Sequence, residues 1–147
     1  MCFSRKTTVS VGTKIDRRKI SGLPTDEVHT KALTIFIDEC SKIFDRSKVE
    51  TSVKSITVEW WNDVAPSPST GVLNTVVVDN GQVYSGLTVG TLCKVAWRGK
   101  LFRSAFAHEM LHIIGRNLLN NEDAGHQEKS LWDLEATICK ILSDNNL

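Results

Sequence analysis

From Val28 onward, apolar residues recur at helical spacing. Val28, Ala32, Ile35, Phe36, Ile43 and Phe44 follow directly after Pro24 and Thr25. The pattern predicts a helix from about Thr25 to Phe44 with one buried side. The period then drops to two. Ser55–Trp61 alternates and is rich in Ile, Val and Trp, and Val72–Val78 and Thr91–Trp97 are further runs of strand character. Pro66, Pro68 and Gly71 mark 63–71 as a loop. Asp79-Asn80-Gly81 predicts a tight hairpin, because Asn-Gly readily takes the positive φ angles of a type I′ turn, so Gln82–Tyr84 should run back along the second strand. After Arg98-Gly99 the helical period returns over 100–118, with Phe102, Phe106, Met110, Ile113 and Ile114 as its apolar stripe. A last helix is expected from Ser130. Ser130 and Asp133 suit a capping box there, and Leu134, Ile138 and Ile141 form the inner face. In 1–23 only a short strand near Thr7–Val11 is expected. The whole predicts one α+β domain over residues 1–147: a small, mostly antiparallel sheet with an N-terminal helix, a central helix and a C-terminal helix.

The chain's 147 residues are enough to bury a core without staples. A net charge of +1 gives no global field towards nucleic acid or an anionic membrane. The cluster Lys14, Arg17, Arg18 and Lys19 is interrupted by Ile15 and Asp16 and reads as a solvated face. No run approaches the roughly 20 apolar residues that span a bilayer. Met1-Cys2-Phe3 leads straight into polar residues, so the expectation is a cytoplasmic monomer, with the mature part of a secreted protein or lipoprotein as the alternative that Cys2 suggests. Cys2, Cys40, Cys93 and Cys139 include no Cys-x-x-Cys pair, which disfavours a zinc knuckle. Buried thiols are expected, with a Cys40–Cys139 bridge only in an oxidising compartment.

The chemistry concentrates in His108-Glu109-Met110-Leu111-His112. Histidines four apart on a helix lie on one face, one turn apart, where two imidazoles can converge on a single tetrahedral metal. Glu109 sits on the flank. From there it can take a proton from a metal-bound water without being a ligand, and later pass one to a leaving amine. A catalytic zinc site needs a third protein ligand. His126, in the loop before the last helix, is the first choice. Glu135 is the alternative, since Glu135-Ala136 resembles the glutamate ligand element of gluzincins. Asp123 and Glu128 are lesser candidates, and Asp123 could instead hydrogen-bond a ligating histidine.

These residues, with Asp123, His126 and Trp132, resemble the active-site segment of SprT/Spartan-type zinc peptidases. The resemblance covers about 25 residues, Ala107 to Trp132. It implies His108, His112 and His126 as zinc ligands, Glu109 as general base and a peptide or protein substrate. The cysteine-rich zinc ribbon often found after such domains is missing here, and nucleic-acid binding is not indicated. Gly115 also fits the glycine of the metzincin pattern, but the next ligand position of that pattern falls on Leu118, which cannot bind metal.

Other residues have blander readings. Tyr84 reads as a hairpin aromatic, and His29 as a solvent-exposed residue. Trp60 and Trp61 should face opposite sides of a strand. Val95–Trp97 would border a substrate if Thr91–Trp97 were a sheet edge beside the cleft. Arg98 and Arg103 could meet a substrate carboxylate. The leading expectation is a zinc peptidase. Its rivals are a non-catalytic module with a closed four-ligand metal site, and a metal-free protein with incidental histidines.

Overall fold

The computed structural model describes residues 14–17, 23–67 and 70–147, with the backbone alone for 14–17. The strand expected near Thr7–Val11 lies outside them, as do the side chains of the Lys14–Lys19 cluster. In chain order the elements are β1 (Lys14–Arg17), α1 (Asp26–Cys40), α2 (Arg46–Lys54), β2 (Thr57–Trp61), β3 (Asp63–Pro66), β4 (Leu73–Asp79), β5 (Gln82–Tyr84), β6 (Gly86–Val89), β7 (Leu92–Ala96), α3 (Arg103–Leu119), α4 (Ala124–Gln127) and α5 (Lys129–Asp144). The fold is α+β.

The strands form two sheets, ordered β1-β2-β7-β6 and β3-β4-β5. β1 and β7 each pair with β2 in parallel. The other pairings, β3 with β4, β4 with β5 and β6 with β7, are antiparallel. Antiparallel pairing therefore predominates, but across two sheets and not within one. The Asn80-Gly81 hairpin forms as read, with φ of 50° and 75° and Asp79 opposite Gln82.

One aromatic cluster ties the layers together. Trp60 of β2 is fully buried and stacks on Phe106 of α3 at 5.9 Å between ring centroids. Phe36 of α1 meets Phe106 edge-on, and Trp97 after β7 meets Trp60 in the same way. Truncating such a ring to alanine typically costs about 3–5 kcal/mol, so this cluster anchors the start of α3. Trp61, on the other face of β2, is only half-buried, and its indole donates to Glu59. α3 packs on β6 and β7 on one side and on α5 on the other.

The structure corrects several expectations. α1 stops at Cys40 with Ser41 as its cap, so Ile43 is exposed and only Phe44 of the expected last turn packs on the core. The next segment, α2, is a polar helix capped by Asp45, whose carboxylate accepts the Lys48 amide. Part of the 63–71 loop is strand β3, which ends at Pro66. The Ser130–Asp133 capping box does not form. α5 starts at Lys129 without a side-chain cap, and Asp133 instead pairs with the Lys129 ammonium. His29 is 3% exposed, edge-on to Trp60, and not at the surface. β7 lies inside its sheet, and β6 is the edge nearest α3. Cys40, Cys93 and Cys139 are free thiols, and burial pushes the pKa of each upward.

Candidate metal centre

α3 carries His108, Glu109 and His112 over its middle turns. Its buried side, Phe106, Met110, Ile113 and Ile114, faces the core, which leaves His108 and His112 half-buried on another flank. The helix ends in a turn that brings the chain back. Asn120 takes a left-handed conformation (φ 55°), and the Asn121 amide donates to the Gly115 carbonyl. Gly115 makes this return possible, because a Cβ there would lie 2.7 Å from the Asn121 carbonyl oxygen. The short helix α4 follows, with Ala124 buried and His126 exposed.

The result is a cluster of three imidazoles. Ring centroids are 4.8 Å apart for His108 and His112, 5.0 Å for His108 and His126, and 5.1 Å for His112 and His126. One nitrogen from each lies within 4.8 Å of the others, and the group could hold a metal ion. Two features fit that role. The Nε2 atoms of His108 and His126 approach to 3.2 Å, close to the roughly 3.3 Å expected between two imidazole nitrogens on one tetrahedral zinc. The Nδ1 atoms of His108 and His112 are engaged elsewhere: His108 Nδ1 lies 3.0 Å from Glu135 Oε1, and His112 Nδ1 lies 2.6 Å from the Glu122 carbonyl oxygen. Both partners are acceptors, so each ring donates from Nδ1 and keeps the Nε2 lone pair for a metal.

Glu135 thus stands beside His108 as a hydrogen-bond partner, and among the described residues it is not part of the three-residue group. Asp123 and Glu128 do not join it either, being the exposed residues that flank α4. Glu109 also stays out of the group. It is 8% exposed, and its Oε1 accepts a 2.6 Å hydrogen bond from the Thr88 hydroxyl on β6. Gly86, on the same strand, lies flat against it, since a Cβ at Gly86 would sit 2.8 Å from Glu109 Cγ.

The remaining candidates are not part of the three-histidine group. Val95 and Trp97 are buried. Tyr84 donates to its neighbour Gln82. Arg98 lies over the Phe102 ring, and Arg103 donates to the Leu147 carbonyl oxygen. With Lys100 and Lys140 these arginines line a cleft of about 540 Å³ at the start of α3. Trp132 is 52% exposed on α5.

Reasoning from sequence missed Gly86, Thr88, the Glu122 carbonyl and the contact between Glu135 and His108. For Glu135 a signal existed. It lies among Leu131, Leu134 and Ile138 on the inner face of α5, where a carboxylate needs a partner.

The Glu135 carboxylate holds the His108 imidazole above its ordinary pKa. Burial opposes this, and Glu109 adds a smaller upward push. The sign follows. In the metal-free protein the His108–Glu135 pair contributes stability that is fully present below the unfolded value of about 6.5 and is lost as pH rises through the raised folded value. Metal needs an unprotonated Nε2, so its dependence is opposite. With zinc as the probe, apparent affinity should tighten as pH rises through the raised His108 value. In Glu135→Gln that transition should move to lower pH in a competition titration. An unchanged midpoint would argue against the pair.

No family model, curated protein or solved structure compared with the chain gives a match.

Proposed function

We propose that this chain is a zinc-dependent peptidase in which Glu109 acts as general base. The observation that carries the reading is the three-histidine group of α3 and α4, with two of its Nδ1 atoms already committed to acceptors. A neutral all-nitrogen donor set suits zinc, and three protein ligands leave a fourth position open. The closed four-ligand alternative needs another side chain, and among the described residues the group stops at three. Bound zinc would lower the pKa of a coordinated water to about 7 and polarise a carbonyl.

The chain's own residues do the rest. His108, His112 and His126 fix the metal, while Glu135 and the Glu122 carbonyl orient two of the rings. Glu109, next to His108 in sequence but outside the ligand group, accepts the proton of the attacking water and returns one to the leaving amine. β6 is a sheet edge beside α3, and an extended peptide could add to it by main-chain hydrogen bonds. Among the described residues no helix is long and apolar enough to cross a membrane.

The test combines metal analysis with proteolysis. Protein purified without a histidine tag should carry one zinc per chain and cleave an unfolded protein such as casein. Cleavage should stop with 1,10-phenanthroline and return with added zinc. A fully zinc-loaded protein that cuts neither casein nor a mixed peptide library would overturn the peptidase reading.

A further inference from the structure

Glu109 is held by an element that contributes no metal ligand. The Thr88 hydroxyl lies 2.6 Å from Glu109 Oε1 and 3.1 Å from the Glu109 backbone carbonyl oxygen, across 21 residues of sequence. A hydroxyl has one proton. The shorter contact and the charged acceptor assign it to the carboxylate. Thr88 is itself fixed, since it sits on β6 opposite Cys93 of β7, and Cys93 is fully buried. Gly86, two residues earlier and so on the same face of the strand, closes the socket beneath the Glu109 side chain.

Without this socket a glutamate one residue from His108 has two other places to go. It can swing out to solvent, or it can swing onto the metal and fill the position that water needs. We propose that Thr88 is the positioning residue for Glu109. It holds one carboxylate oxygen so that the side chain stays a neighbour of the metal and not a ligand, with the other oxygen left to work on water. The inference deepens the peptidase reading and rests on it. It requires nothing from Thr88 beyond a hydroxyl in this place. Valine, which copies its shape, should therefore fail, and serine, which copies its donor, should largely succeed.

The experiment uses the full chain with Thr88→Val and Thr88→Ser, and reads casein-peptide kinetics, zinc content and the hydroxyl proton spectrum of the zinc-free protein. In the wild type, the Thr88 hydroxyl proton should exchange slowly enough to give its own NMR resonance and should shift in Glu109→Gln. In Thr88→Val, kcat should fall about 10- to 100-fold with KM within about twofold and zinc still at one per chain. In Thr88→Ser, kcat should recover to within about threefold of wild type. A Thr88→Val enzyme with wild-type kcat overturns the inference and leaves the peptidase reading standing, as does a Thr88 hydroxyl proton indifferent to Glu109→Gln. A zinc-loaded wild type without hydrolysis overturns both.

Discussion

Glu109→Gln should lower kcat for peptide hydrolysis by about 10²- to 10⁴-fold, the range for loss of a general base, and leave zinc binding unchanged. The glutamine copies the shape of the glutamate, so it still fits over Gly86, and its amide oxygen can still accept from Thr88. His108 and His112 keep their own partners, Glu135 and the Glu122 carbonyl, which do not involve Glu109. What disappears is basicity alone. Steady-state kinetics with parallel metal analysis would check this. A Glu109→Gln protein with full activity would remove Glu109 from the mechanism.

The second large effect separates ligand from ligand partner. His126→Ala should weaken zinc binding well beyond the roughly 10- to 100-fold typical of losing a partner behind a ligand, whereas Glu135→Gln should stay within that range. The reason is geometric. His126 Nε2 stands 3.2 Å from His108 Nε2, inside the histidine cluster. Glu135 reaches His108 from behind, through Nδ1. Competition titrations against a chromophoric chelator would rank the two. If Glu135→Gln proved the more damaging, the glutamate would be the third ligand and the histidine an accessory.

The two variants also show what could be read from the sequence. The central helix and its motif were legible because Phe106, Met110, Ile113 and the two histidines all obey one period. The Asn80-Gly81 hairpin was legible because its turn requires φ angles that few residue types take. α2 was hidden because it buries only Val49, Ser52 and Val53 in nine residues. β3 was masked by Pro66 at its end, and β6 by its shortness and its opening glycine. Thr88 could not be found without β6, since its role comes from strand pairing and not from any local pattern. Glu135 was noticed only as the alternative to His126 for the third ligand, and the structure places its carboxylate against His108 Nδ1. Ligand and ligand partner differ by the width of one imidazole, and spacing along a chain does not resolve that distance.

The turn after α3 carries a consequence for the lifetime of the molecule. Between Asn120 and Glu128 only Ala124 is buried, and the segment is otherwise tied by polar contacts such as Asp123 to Asn121 and Asn121 to Gln127. Such a segment opens locally at low cost. A metal gripped by His126 would bind only the closed form and so deepen it by mass action. Without metal, the same stretch should be more open to proteolytic nicking than with it. Limited proteolysis with and without zinc should therefore differ between Asn120 and Glu128.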